Sequence, residues 1–277
     1  MTIQQPTEQQ IEKLDSLMNY LRSLHSATVA FSGGVDSTFL LKAAKEALGG
    51  KVIAVTAVSP FFPGREICEA EIFCSGQGIR HFVCETGQLE IEEIVENPPN
   101  RCYLCKKEIF RKICMLAREN GIENIIEGSN VDDDGDYRPG LLAVAELGIK
   151  SPLKRCNLTK TDIRVLSKYL GLKTFEKPSF ACLASRFVYG ERITPEKLAM
   201  VDRAEQLLMD LGFHQFRVRI HGRLARIEVE PGEFVKLMEE KVRSRIVEKF
   251  REYGFTYVAL DMTGYRTGSM NEDLERK

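Results

Sequence analysis

A short apolar run, ATVAF (27–31), ends directly on the glycine-containing segment SGGVDST (32–38), and a helical pattern, DSTFLLKAAKEAL, follows without a linker. An apolar run bounded this sharply fits a strand buried on both faces. The same order then recurs. KVIAVTAV (51–58) reads as a second strand, 64–78 as a helix and IRHFVCE (79–85) as a third strand. After the breaker NPPN (97–100) comes helix-like CYLCKKEIFRKICMLAREN (102–120) with Gly121 as its stop, then NIIEGS (124–129) as another buried strand. An amphipathic helix over 8–24 opens the chain. Strands alternating with helices predict an α/β domain, a parallel sheet with helices on both faces, over about 1–190.

The pattern changes near residue 190. TPEKLAMVDRAEQLLMDLG reads as a helix with Thr194 as N-cap and Pro195 at the first position. FRVRIHG (216–222) and LARIEVE (224–230) alternate with period two, as half-exposed strands do, and HGR between them suits a tight turn. A helix over 233–252 and the strand FTYVALD (255–261) complete an αββαβ unit. Residues 191–277 are therefore expected to form a second, smaller α+β domain, with a site in the cleft between the two domains.

Charge narrows the partners. The chain of 277 residues carries a net charge of −1, and residues 190–277 hold 16 Lys and Arg against 16 Asp and Glu. A general nucleic-acid binder usually carries a basic excess on some domain, so the balance points to a small-molecule substrate and no nucleic acid. No apolar run approaches the ~20 residues of a bilayer span, and the opening MTIQQPTEQQIEKLDSL lacks the basic and apolar regions of a signal peptide. A cytoplasmic protein without membrane contact is expected.

SGGVDST carries the strongest chemical signal. At a strand-to-helix junction, backbone N–H groups and the helix dipole converge on one point, which favours an anion. Gly33 and Gly34 let the backbone approach a phosphate, and Ser32, Ser37 and Thr38 add hydroxyls. Asp36 would repel phosphate unless a cation lay between, which makes it a candidate Mg²⁺ ligand. The Walker pattern GxxxxGK[ST] is absent. The bland alternative is a glycine-rich turn with no ligand, which a lone GG would merit more than SGGxDS after a buried strand.

Of the eight cysteines, Cys68, Cys74, Cys84, Cys114 and Cys156 lie among apolar residues and read as core or neutral surface thiols. Cys102 and Cys105 form a CxxC at a helix start, with Arg101, Lys106 and Lys107 available to favour thiolates. Spacing alone leaves redox chemistry, structural zinc and an iron–sulfur site open. Cys182 is the one convincing further thiol, and spacing does not by itself join it to the pair.

SGGVDS resembles the pyrophosphate-loop signature of N-type ATP pyrophosphatases. That likeness implies attack on the α-phosphorus of ATP, with ATP and Mg²⁺ as cofactors. NPPNRCYLCKKEIF (97–110), EGSNVDDDGDYRPG (127–140), KPSFACLASRFVYG (177–190) and LDMTGYRTGSMN (260–271) narrow it further. Together they resemble the LarE family of sulfur transferases over most of residues 20–271. The resemblance implies adenylation of a pyridinium dicarboxylate mononucleotide and its conversion to a thiocarboxylate, for the nickel-pincer nucleotide cofactor. It implies a homo-oligomer, with a hexamer expected. Cys102, Cys105 and Cys182 together match the subgroup carrying a 4Fe–4S cluster; another subgroup spends the sulfur of its CLASR-type cysteine. The family blocks make Cys182, Asp36 and Arg186 the catalytic candidates, and Arg138, Ser185, Arg217 and Arg219 the substrate-binding ones. Taken singly, each strand arginine would read as a solvated surface charge. Positions Glu205, Glu228 and Glu233 are associated in the family with metal contacts between subunits, Glu233 standing where the family has aspartate. DDDGD (132–136) lacks an EF-hand's spacing and is expected to border the nucleotide, ending in Asp136 and Arg138. Two rival readings are a tRNA thiolase of the same superfamily and a non-catalytic ATP sensor with a zinc clip.

Overall fold

The computed structural model describes residues 5–135, 139–178, 182–266 and 268–271. The chain divides into two compact units, and segments 60–63 and 87–101 belong with the C-terminal one.

The first unit is built on a four-stranded sheet of β1 (Ala27–Ala30), β2 (Val52–Val58), β3 (Arg80–Glu85) and β4 (Ile125–Ile126). All pairings are parallel and the order is β3-β2-β1-β4. Helices cover both faces, and β2 shows why its sequence is apolar but for Thr56, whose hydroxyl donates to Phe31 O. Val52 and Ala54 pack into one cluster with Leu17, Leu21, Phe39, Leu41 and Ile163. The alternate residues Ile53 and Val55 pack into another with Phe110, Ile113, Ala117 and Val144. A strand buried on both faces cannot alternate in polarity. The first cluster draws on helices Glu8–Ser23, Val35–Leu48 and Lys160–Tyr169, and the second on Arg101–Glu119 and the short Gly140–Glu146. The α/β expectation holds, with β4 shorter than the apolar run predicts.

The second unit carries a three-stranded sheet of order β5-β6-β7, formed by Phe216–His221, Leu224–Val229 and Tyr257–Leu260. β5 and β6 make an antiparallel hairpin closed over Gly222, and β7 adds parallel to β6. Thr194 caps helix Pro195–Asp210 by accepting from Lys197 N at 3.3 Å. Two expectations are corrected. The helix over 233–252 is instead a short turn of helix, Phe234–Met238, followed by Glu240–Tyr253, because Glu239 is extended (φ −53°, ψ 133°). β5 is not half-exposed: Arg217 and Arg219 are buried along with Val218 and Ile220, while in β6 Leu224 and Arg226 are part-buried. Period two survives in β5 because one face buries aliphatic side chains and the other buries Arg217 and Arg219, the latter paired with Glu228. Among the described residues, no helix is long and apolar enough to cross a membrane.

Candidate active site

β1 ends at Ala30, four residues before Gly34, the N-cap of helix Val35–Leu48, and Phe31–Gly34 fill the junction. Gly33 has φ +71°, a conformation that side-chain-bearing residues rarely adopt. Ser37 Oγ donates to Gly34 O at 3.1 Å and accepts from Ser32 N at 3.3 Å, while the Ser32 and Ser37 hydroxyls lie 3.1 Å apart. Ser32 is exposed, Ser37 is buried, and Thr38 is buried with its hydroxyl unpartnered among the described residues. Lys177 Nζ donates to Gly33 O at 3.1 Å and pairs with Glu69 at 2.7 Å.

Strand order sets what lies beside this loop. The chain steps outward from β1 through β2 to β3, then returns to the other side of β1 with β4. Such a reversal opens a crevice at the C-terminal ends of the two flanking strands, where ligands of parallel sheets bind. The segment leaving β4 closes on the glycine loop there. A Cβ on Gly128 would stand 3.1 Å from Ser37 N and 3.3 Å from the carbonyl carbon of Asp36, so a side chain there would push the glycine loop away by a few tenths of an ångström. Buried Glu127 braces this segment by accepting from Ser129 N at 3.0 Å, Ser129 Oγ at 2.7 Å and Ser151 Oγ.

Asp36, in the first turn of its helix, has two differently used oxygens. Oδ2 accepts from Lys160 Nζ, and Oδ1 is buried with no hydrogen bond among the described residues. Burial pushes the carboxyl up from its ordinary range, and Lys160 opposes that shift. An unmatched carboxylate oxygen at an anion-binding helix start fits a divalent cation, so Asp36 would hold Mg²⁺ there. Lys160 and Lys177 lie outside the motif and carry no residue-type signature. The one sequence sign near Lys160 is the capping pattern Thr159-x-x-Asp162, which fixes a helix start. Asp132 accepts from Lys160 N, the backbone of the lysine whose Nζ reaches Asp36, whereas Asp136 and Arg138 lie outside the described residues.

The second unit gathers the other candidates. Arg186 is 1% exposed and forks onto Glu205, with Nε to Oε1 and Nη2 to Oε2 both at 2.8 Å. Its Nη1 donates to Ser185 Oγ at 2.8 Å and to Cys182 O at 3.3 Å. Burial alone would lower the guanidinium pKa; Glu205, then Cys182 and Tyr265, hold it above its ordinary value. Arg219 binds Glu228 Oε2 through Nε at 3.1 Å and Nη2 at 2.9 Å, and its Nη1 reaches Ser185 O at 3.0 Å. Arg217 lies over the Tyr265 ring at 5.1 Å and donates to Phe216 O at 2.6 Å. Burial, then the charge of Arg186, pushes Arg217 down to about 10. Cys182, Ser185, Arg186 and Arg219 are thus brought together in one polar network, with Arg217 held near it by Tyr265 and Phe216 O against the repulsion of Arg186 and Arg219. A bound anion would relieve that repulsion. Glu205 and Glu228 serve as counter-ions to arginines within the chain.

No family model matches the chain. It is 41% identical over 264 residues to an uncharacterized protein of Synechocystis sp., spanning 95% of this chain and 98% of that one. It is also 36% identical over 268 residues to the pyridinium-3,5-bisthiocarboxylic acid mononucleotide synthase of Lactiplantibacillus plantarum, covering 95% of each chain. The chain belongs to this synthase family. A tRNA-specific 2-thiouridylase of Wolbachia pipientis is more distant, 27% identical over 190 residues that cover 55% of this chain and 51% of that protein.

In this member of the synthase family the cysteines separate by environment. Burial raises the thiols of Cys84, Cys114 and Cys156, and pushes Cys74 up to about 12. Cys74 and Cys156 sit in one apolar cluster and Cys84 in the other, as expected of inert core thiols. Cys102 and Cys105 lie three residues apart near the start of helix Arg101–Glu119, and so on one face. Two of their three expected basic helpers are otherwise engaged. Lys107 donates to Tyr103 Oη at 2.6 Å and Glu146 at 2.9 Å, and Arg101 Nε to Asn97 Oδ1 at 2.9 Å. Cys102 and Cys105 belong to the first unit and Cys182 to the second. Among the described residues no three His, Cys, Asp or Glu side chains are gathered to hold a metal ion.

Proposed function

We propose that the chain is an ATP-dependent sulfur transferase that makes a pyridinium thiocarboxylate mononucleotide for a nickel-pincer nucleotide cofactor. A carboxylate oxygen of the substrate attacks the α-phosphorus of ATP. The bond from that phosphorus to its bridging oxygen breaks, and pyrophosphate leaves with the electron pair. A sulfur nucleophile then attacks the acyl carbon, and AMP departs with the electrons of the carbon–oxygen bond. The observation that carries this proposal is the glycine loop at the crevice between β1 and β4, with Asp36 Oδ1 unmatched beside a helix N-terminus. Mg²⁺ on Asp36 would supply charge neutralisation of the phosphates.

The chain's own residues divide the remaining tasks. Arg217, Arg219 and Ser185, with Arg138 assigned by resemblance alone, bind the phosphate and carboxylates of the mononucleotide. Arg186 donates through Nη1 to the Cys182 carbonyl, which places its positive charge next to the proposed sulfur donor. In the finer form of the proposal, Cys102, Cys105 and Cys182 hold a 4Fe–4S cluster, with the helix-start pair fitting two of its thiolate positions. The protein works as a homo-oligomer, as the LarE resemblance implies.

Incubation of the chain with ATP, Mg²⁺, sulfide and the pyridinium dicarboxylate mononucleotide should give the thiocarboxylate by mass spectrometry. Unchanged substrate with ATP consumed would refute sulfur transfer. Thiolation of tRNA in its place would favour the distant relative's substrate class.

A further inference from the structure

Lys160 opens helix Lys160–Tyr169. A cation is poorly placed there, since the positive end of the helix dipole faces it. Helix stability therefore does not account for a lysine at this position; Asp162 in the same turn and the Thr159 cap already supply what the helix start needs. The backbone is nonetheless anchored with care. Lys160 N donates to Asp132 Oδ2 at 2.7 Å, and Thr159 and Asp162 close a reciprocal capping box at 3.1 and 3.2 Å. This anchoring aims the side chain at the glycine loop, where Nζ meets Asp36 Oδ2.

The neighbouring cations have other tasks. Arg164 donates to Phe175 O and, at 2.9 Å, to Lys177 O. Lys177 pairs with Glu69 and donates to Gly33 O. Lys160 is the ammonium placed on the loop's own carboxylate, at the end of a flexible stem and 28% exposed. A carboxylate already bonded by one oxygen to an ammonium and open at the other can exchange the ammonium for a metal ion without moving.

We infer that Lys160 binds the departing pyrophosphate. Its ammonium rests on Asp36 before nucleotide arrives, and shifts to an oxygen of the β- or γ-phosphate when nucleotide binds. When the bond from the α-phosphorus to the bridging oxygen breaks, the electron pair stays on pyrophosphate. Lys160 then stabilises that charge as a hydrogen-bond donor, with no proton transferred. This assignment rests on the adenylation proposed above.

Calorimetry with α,β-methylene-ATP and Mg²⁺, which cannot be cleaved at the reacting bond, separates the two. Lys160→Gln should bind this triphosphate roughly ten- to a hundredfold more weakly than the wild-type chain. Its affinity for AMP should stay unchanged, and Lys160→Arg should recover part of the loss. Unaltered triphosphate binding by a folded Lys160→Gln protein overturns the inference. So do equal losses for AMP and triphosphate, which would make Lys160 only a prop for Asp36. A wild-type chain that binds no triphosphate overturns adenylation itself, and the role of Lys160 with it.

Discussion

Asp36 meets two demands with one side chain: Oδ2 holds a lysine, and Oδ1 is kept free of protein donors among the described residues. Asp36→Asn keeps the shape and removes the charge. It should leave the fold intact and lower pyrophosphate formation by at least roughly a hundredfold, because a neutral amide holds Mg²⁺ poorly. Normal pyrophosphate release by the folded variant would refute the ligand assignment. The buried arginines call for different expectations. Arg217 lies among like charges, so Arg217→Ala should weaken the anionic mononucleotide about ten- to a hundredfold, by calorimetry, and ATP hardly at all. Arg186→Ala removes the forked partner of Glu205, which is fully buried. Leaving that carboxylate uncompensated should cost about 3–5 kcal/mol, read as a lower denaturant midpoint with unchanged slope. Equal stability of Arg186→Ala and Arg217→Ala would contradict the distinction drawn between them.

At the scale of elements, Asp162 ties the opening helix to the helix that carries Lys160. It accepts from Lys13 at 2.6 Å and from Gln10 at 3.0 Å, as well as from its own cap. Burial would raise its carboxyl, but these donors outweigh burial and hold it down, from 3.8 to about 2. A depressed folded pKa contributes stability above the unfolded value that is lost as pH falls through the folded one. That contribution fades as pH falls from 3.8 towards about 2. Asp162→Asn should therefore flatten the stability profile across that window, measured by urea unfolding at a series of pH values. What was legible at this scale follows polarity. β1 and β2 are apolar at every position but Thr28 and Thr56 because both faces are buried, and Thr194-Pro195 marks a helix start by its own chemistry. β5 was legible as a strand but not as a buried one. Alternating arginine looks solvated until Glu205 and Glu228 are known to face it, and those partners are distant in sequence. Lys160 stayed silent for the same reason, since its partner lies 124 residues away.

For the whole molecule, the family and its chemistry were legible because SGGVDST and the cysteine blocks are contiguous. The sulfur source was not, because the candidate thiols are divided between the two units and spacing does not join them. Anaerobic reconstitution should load one 4Fe–4S cluster, lost in Cys102→Ser, Cys105→Ser and Cys182→Ser, and kept in Cys114→Ser, whose thiol packs beside an apolar cluster. If the variants at 102 and 105 keep multiple turnovers while Cys182 alone becomes dehydroalanine, Cys182 is spent as the sulfur donor and the cluster assignment fails. One tightly held zinc with no iron uptake would make the cysteines a structural clip. Beneath these alternatives lies one claim, that ATP is attacked at its α-phosphorus on the Ser32–Ser37 loop. Phosphorus NMR of a turnover mixture tests it directly. AMP and pyrophosphate should accumulate in step with thiocarboxylate, and ADP with orthophosphate as the main products would contradict the account.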